Sequence, residues 1–517
     1  MRRCSSRSMP CTRGRRVADR SSPSLTSANN RRVPARSLLE PLWSRPMSIN
    51  SDIAALAARH QADLIRAGEI SAVEVLDAAL ARIEKLNPKL NAIVTLLEGQ
   101  ARAAALQADQ AVRAGEPLGL LHGLPLVVKD VTDVAAVPTT YGSPLFRDNV
   151  AEQDAEVIAR LRRAGAIFLG KTNTPEFATG ANTVNDLFGA TLNPWNPELS
   201  PAGSSGGSAV AVATGMAPLA QGTDFGCSIR IPASFCGIVG LRTTPGLIPN
   251  DPMNLYWDPG QVHGPMARSA EDAALMLDAM TGFDPYWPIS IAPSWTSALD
   301  VVSRTEDARG LKIAYAPDIA GIGVDAEVDQ ICRQAARRLS RHGAEVDEID
   351  FDVSEGREAY MTWRGEWMIG QRLQQLDLID RFGPNLAGNL KAGLQIDALD
   401  RADGQHVRQA VWRKYRALLT RYDYLVTPAA PVPPYPVSQN FPDRIGGKQL
   451  ENYVDWIAGA YLVTLVGFPA GSVPAGLTAS RLPVGLQIIG RRLADANILG
   501  LAKLVAADSA IGSPPAN

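Results

Sequence analysis

Short runs dominated by apolar residues, at 125–128, 166–169, 311–315 and 423–426, restrict the fold of this chain more than any other feature. They are too short for packed helices and read as buried strands. Between them lie stretches with helical periodicity. Ser71 with Glu74 forms a capping box ahead of a helix whose apolar positions, Val75, Leu76, Ala79, Leu80 and Ile83, share one face; Asn87-Pro88 is expected to end it. Ser269 with Asp272 repeats the start signal. Strand and helix patterns in alternation specify an α/β protein. Neither an internal repeat nor a long linker interrupts residues 47–505, so that span is expected to fold as one large domain. With 517 residues, 46% of them hydrophobic, a sizeable core is available.

The ends differ from the body. Residues 1–46 hold eleven Arg against Asp19 and Glu40, a balance of +9, so the total of −2 leaves −11 for the rest. An acidic body argues against a nucleic-acid-binding surface. The basic head is rich in Ser and Pro and has no apolar run of secretory length. It reads as sequence upstream of a start at Met47, in preference to an organelle transit peptide. Residues 506–517, with Gly512, Pro514 and Pro515, are expected to form a flexible tail. No charge occurs from Trp456 to Ser480, but Pro469, Pro474 and four glycines fit a buried helix followed by a strand better than a membrane span. The five cysteines, Cys4, Cys11, Cys227, Cys236 and Cys332, show no CxxC spacing. Disulfides and zinc are therefore not expected, and a reducing cytoplasm is.

Chemistry concentrates in Ser200–Thr244, where two glycine-serine clusters flank a short helix-like stretch. Glycine lets backbone N–H groups converge on an anion. Serines in such loops act as nucleophiles or simply bond the local backbone. A phosphate loop is disfavoured, because no GK[ST] follows the cluster and GxGxxG is absent. Gly203-Ser204-Ser205-Gly206-Gly207 matches the nucleophile elbow G-x-S-x-G with Ser205 at its centre. That arrangement needs an Asp and then a His downstream. Of the candidates, His263 sits in a turn-like GPMAR context, while His342 and His406 lie among charged residues of solvated helix surface.

The same region resembles the amidase signature family through GSSGGSAVAVATGMAPLAQGTD at 203–224, GCSIRIPASFCGIVGL at 226–241 and PLVVKD at 125–130. EFATGANTVNDLFGATLNPWNP at 176–197, GPMARSAEDAA at 264–274 and LPVGLQIIG at 482–490 extend the likeness over nearly all of 50–505. The resemblance implies an α/β fold with a central mixed, mostly parallel twisted sheet flanked by helices. It implies a Ser-cisSer-Lys triad of nucleophile Ser228, proton relay Ser204 and base Lys129, whose spacings of 75 and 24 residues suit the family. Ser205 is then a neighbour. The implied oxyanion donors are the backbone N–H groups of Phe225, Gly226, Cys227 and Ser228. No metal or organic cofactor is implied.

These residue types make physical sense together. A serine hydroxyl is a poor nucleophile until a base takes its proton. Lysine, with an ordinary pKa of about 10.4, serves only if burial keeps it neutral. Lys129 follows the apolar run from Leu124 to Val128, consistent with a strand end feeding an enclosed site. Asp224 and Arg230 flank the nucleophile and read as structural, and a thiol at Cys227 reads as inert. The chain departs from the family at Cys227, where glycine is common, at Ala202-Gly203, where a double glycine is usual, and at Thr464 in an expected pocket wall, where asparagine is common.

Tyr360, Trp363 and Trp367 share one helical face and read equally as core or as the wall of a pocket for an aromatic or bulky apolar group. Tyr256 and Trp257 are further wall candidates. The implied activity is hydrolysis of a small carboxylic amide, the partner being that small molecule, with no nucleic acid and no membrane; a homodimer is left open. A second reading is the glutaminase subunit of a tRNA-dependent amidotransferase. Those proteins usually continue after the nucleophile as GLKPTYGRVSRYG, whereas this chain has GLRTTPGLIPN from Gly240 to Asn250. An inactive amidase-like binding protein is disfavoured because Lys129, Ser204 and Ser228 are all present, and a membrane-anchored fatty amide hydrolase because no apolar N-terminal anchor is seen.

Overall fold

The capping box at Ser71 opens a helix over Ala72–Leu90, with Ser71 Oγ accepting from the Glu74 N–H at 3.1 Å. It runs two residues past Pro88, which sits in the last turn, and closes at Asn91 with φ 51°. Asn87 Oδ1 accepts from the N–H groups of Ala92 and Ile93, both at 2.9 Å, and so turns the chain into the first strand. The computed structural model describes residues 53–509 and 511–515. Expectations for residues 1–46, and for the remaining positions of the tail, lie outside that range. The last helix, Asp495–Ala507, extends two residues beyond the expected domain end, and Ile511–Pro515 is without regular structure.

Eleven strands form one sheet: β1 (Ile93–Leu96), β2 (Pro125–Lys129), β3 (Ile167–Thr172), β4 (Leu219–Asp224), β5 (Val239–Arg242), β6 (Val262–Ala267), β7 (Lys312–Tyr315), β8 (Glu345–Glu348), β9 (Tyr424–Pro428), β10 (Ala470–Leu477) and β11 (Pro483–Ile489). All four apolar runs are strands. Their spatial order is β1-β3-β2-β4-β6-β5-β10-β11-β9-β7-β8. The sheet is mixed, as expected, but parallel pairs are the minority, a correction to the expected mostly parallel sheet. Four of its ten pairings are parallel, at the two wings, and six are antiparallel, five of them in the centre and one at the β1 edge. The reason lies in the connections. Helices such as Glu156–Arg163 carry the chain back between parallel neighbours, whereas β10 and β11 join through a tight turn at Thr478–Leu482.

Helices cover the sheet, and the strands that build the site are buried along their whole length. The charge-free stretch from Trp456 forms a buried helix, Ala458–Leu465, and then β10, as its glycines and prolines require. Among the described residues no helix is long and apolar enough to cross a membrane. One core cluster is rich in aromatic residues, including Phe225, Tyr360, Trp363, Trp367, Trp456 and Tyr461, and lies where the serine loops leave the sheet.

Candidate active site

β2 and β4 are parallel neighbours, with Val128 opposite Gln221, so both deliver their C-terminal ends to one edge of the sheet. That edge is where open α/β sheets place ligands. Lys129 ends β2 and Thr223-Asp224 ends β4. Lys129 is wholly buried, and its Nζ lies 2.6 Å from Ser204 Oγ and 3.0 Å from Thr223 Oγ1. Burial removes the water that would solvate an ammonium and lowers the Lys129 pKa to about 7, against the smaller upward pull of Asp224 and Cys227.

Ser204 follows a cis peptide bond from Gly203 and immediately precedes Ser205 and helix α1 (Gly206–Ala213). The glycines let this helix sit directly on the sheet: a Cβ at Gly207 would stand 2.5 Å from the Asn173 nitrogen and 2.7 Å from the Ala92 oxygen. Ala202, in place of a usual glycine, has φ 62°, a left-handed conformation costing an alanine about 1 kcal/mol. Its carbonyl accepts from Thr183 Oγ1 at 2.8 Å and its N–H donates to Ser200 Oγ at 2.9 Å, which hold it there. Cys227, a second departure, does not need a glycine, since its φ is not positive. Burial pushes the Cys227 thiol up to about 12, so it stays protonated.

Ser228 is half-buried in the loop between β4 and helix α2 (Arg230–Cys236). With Ser204, Thr223, Phe225, Gly226 and Cys227 it lines a small inner cavity of about 30 Å³. Among the described residues, none of the N–H groups of Phe225, Gly226, Cys227 and Ser228 donates to a protein acceptor, which leaves four donors in one loop unclaimed. The loop is braced from beneath. Asp224 accepts from the Ile229 N–H at 3.0 Å and pairs with Arg230 at 2.8 Å and Arg242 at 3.5 Å, all fully buried. Burial alone would raise the Asp224 carboxyl, but the two guanidinium groups hold it at about 2. Arg230 donates further to the Gly226 and Ala460 carbonyls, Gln487 and Thr464 Oγ1. Thr464 is therefore a buried brace for Arg230, not a cavity wall.

Ser205, the elbow candidate, is buried; its Oγ donates to the Thr223 carbonyl at 3.3 Å and it does not line that inner cavity. His263 lies within β6 and not in a turn, directly opposite Thr223, with Nδ1 2.8 Å from Gln221 Nε2. Burial, with a contribution from Lys129, drops its pKa to about 3, so the ring is neutral. His342 lies 3.2 Å from Asp508 Oδ2, and His406 is on the exposed part of the helix Ala398–Arg421. Among the described residues no cluster of His, Cys, Asp and Glu could hold a metal.

A family model described as Amidase matches residues 74–499. The chain belongs to this family, the amidase signature enzymes. It is 37% identical over 454 residues to the acylamidase of Rhodococcus erythropolis, covering 86% of this chain and 93% of that protein. It is 34% identical to the glutamyl-tRNA(Gln) amidotransferase A subunit of Cyanothece sp., covering 82% and 92%. The crystal structure of a bacterial aryl acylamidase of the amidase signature family superposes with a TM-score of 0.82 at 28% identity, over 89% of this chain and 97% of that one.

The aromatic residues divide by depth in this amidase. Helix α3 (Gly356–Arg372) carries Tyr360, Trp363 and Trp367. Trp367 stacks on Phe225 at 4.5 Å and lines both the inner cavity and an outer one of about 520 Å³. Tyr360 stacks on Tyr461 at 3.9 Å behind Phe225, and Trp363 donates to Asp258 at 2.8 Å; both are core. Tyr256 lines the outer cavity, whereas Trp257 is 77% exposed and lines neither. Sequence reasoning missed Thr223 and Arg364. Thr223 shares a buried strand face with Gln221, and a polar residue at that spacing was a usable signal. Arg364 is a charge on the face defined by Tyr360 and Trp367, four and three residues away.

Proposed function

We propose that this amidase hydrolyses the C–N bond of a small linear carboxylic amide through an acyl-enzyme on Ser228. The observation that carries the reading is Lys129, a lysine removed from water whose side-chain partners are two hydroxyls, one of them Ser204 at 2.6 Å. As a neutral amine it takes the Ser204 proton while Ser204 takes that of Ser228, whose Oγ attacks the amide carbon. The oxygen of the tetrahedral intermediate meets the unclaimed N–H groups of Phe225–Ser228. Collapse breaks the C–N bond, and the proton returns through Ser204 to the leaving amine or ammonia. Water then repeats the sequence on the ester and releases the acid. Phe177, Phe225, Trp367 and Met368 give the inner cavity apolar walls, which suit an aliphatic or aryl segment. A cytoplasmic location belongs to the same reading, supported by Cys227, Cys236 and Cys332 all being buried free thiols.

The likeness to the amidotransferase relatives favours a second reading, a glutaminase that passes ammonia to a partner. It is distinguished by assaying glutamine alongside simple amides, with no partner protein added. For the first reading, Ser228→Ala is expected to abolish turnover and labelling by a fluorophosphonate probe, and Ser205→Ala to cost less than about tenfold in kcat, roughly 1.4 kcal/mol. An inactive Ser205→Ala beside an active Ser228→Ala would overturn it.

A further inference from the structure

Among the described residues three guanidinium groups are buried, and one of them, beside the site, has no ion-pair partner. Arg230 and Arg242, both fully buried, share Asp224. Arg364, on α3, is 5% exposed and forms no ion pair among the described residues. Its Nε donates to Asn389 Oδ1 at 3.0 Å and its Nη2 to the Tyr453 hydroxyl at 2.5 Å, both neutral groups. It lines the inner cavity with Ser204 and Ser228, and no Asp or Glu lines that cavity with it. A guanidinium keeps its charge under all ordinary conditions, and a buried charge without a counter-ion is costly.

A second observation points the same way. Three and seven residues further along the same helical face, Trp367 and Gln371 carry buried nitrogens, Nε1 and Nε2, with no hydrogen-bond partner. Trp367 lines both cavities and Gln371 the outer one. Buried polar groups are normally satisfied. The face built from Arg364, Trp367 and Gln371 thus holds one charge without a counter-ion and two donors without acceptors, and a ligand matching Arg364 in the inner cavity brings oxygen acceptors and negative charge.

We infer that Arg364 binds a carboxylate carried on the acyl part of the substrate, so that the preferred substrates are monoamides of short dicarboxylic acids. This rests on the proposed acyl-enzyme at Ser228. The acyl side is chosen because Arg364 shares the inner cavity with Ser228 and the Phe225–Cys227 loop, where the acyl carbon stays through both half-reactions. The inner cavity shares Phe177, Ala178, Gln261 and Trp367 with the outer one, whose volume of about 520 Å³ remains for the leaving amine. Glutamine satisfies Arg364 as well, but its ammonium finds no carboxylate in the inner cavity.

The test compares ammonia release from glutaramate, pentanamide and glutamine. The wild-type enzyme is expected to show kcat/KM for glutaramate about 100-fold above pentanamide, the scale of a buried charge pair made or left open, and above glutamine. Arg364→Met should bring the glutaramate-to-pentanamide ratio to within about threefold of one, while Arg364→Lys keeps an intermediate ratio because a charge without the planar fork remains. A wild-type ratio near one, a preference for glutamine over glutaramate, or an Arg364→Met variant with the wild-type ratio would each overturn the inference. If Arg364→Met does not fold, protection of the wild-type enzyme from fluorophosphonate decides: glutarate should protect at about a hundredth of the concentration needed with pentanoate, and equal protection overturns it. Loss of labelling at Ser228 in the wild type would instead sink the acyl-enzyme reading; intact labelling with a ratio near one sinks the Arg364 assignment alone.

Discussion

Lys129 and Lys171 stand on neighbouring parallel strands, β2 and β3, with Val128 in register against Lys171 and Lys129 against Thr172. Both are fully buried, and both lie close to the site edge of the sheet. Lys171 has Asp130 at 3.0 Å and donates to Thr139 Oγ1 at 2.7 Å. Lys129, one residue before that same Asp130, has among the described residues only the hydroxyls of Ser204 and Thr223 as side-chain partners. Burial depresses both amines; at Lys171 the ion pair with Asp130 opposes the depression without cancelling it, and Lys129 settles at about 7. Removal from water is common to the two; the counter-ion is not. An ion pair makes Lys171 a brace, and its absence leaves Lys129 able to accept a proton at neutral pH.

The largest expected consequence separates charge from basicity. Lys129→Arg keeps a cation at the end of β2 but cannot lose its proton, so kcat should fall roughly 10³-fold, nearly as far as for Lys129→Ala. Retention of more than about a tenth of the wild-type kcat, a barrier change below roughly 1.4 kcal/mol, would make Lys129 an electrostatic residue and remove it as base. The next effect is on stability and falls on the other lysine. Asp130→Asn strips Lys171 of its counter-ion and leaves a buried charge, so urea unfolding should show a loss of about 3 kcal/mol. An unchanged midpoint would mean that Lys171 sheds its proton without cost, and the two lysines would then be alike.

The smallest effect is the pH dependence of the wild-type enzyme. The Lys129 pKa is lowered from 10.5 to about 7, so the amine is protonated and idle below pH 7 and free above it. kcat/KM on a neutral amide should rise about tenfold per pH unit up to near pH 7 and then level off. The linked stability has the matching sign. Between about pH 7 and 10.5 the unfolded lysine holds a proton that the folded one lacks, so this group's contribution makes the fold more stable as pH rises through that window. A profile flat from pH 5 to 9 would remove the distinction on which the comparison stands.

Local signals in the chain proved reliable where the physics is local. The capping serines at 71 and 269 open helices because each side-chain oxygen meets an N–H three residues away. The apolar runs are strands because each is long enough to cross the sheet and no longer. Pro88 was a weaker stop signal than expected: the helix continues to Leu90 and closes at Asn91 in the left-handed conformation. Strand direction was not legible, because parallel and antiparallel neighbours carry the same buried pattern and only the connections distinguish them. The helical face at 360, 363 and 367 was legible as a face, but its division into core and cavity wall depends on where Phe225 arrives from another part of the chain.

By itself, the amino-acid sequence determined the α/β alternation, because periodicity is a property of neighbouring positions, and its motifs placed the chain in the amidase signature family. Tertiary structure alone decided the state of the charges. Whether Lys129, Lys171, Arg230 or Arg364 has a counter-ion depends on side chains that folding brings within about 4 Å, and in a low-dielectric interior that single contact outweighs the residue's own chemistry.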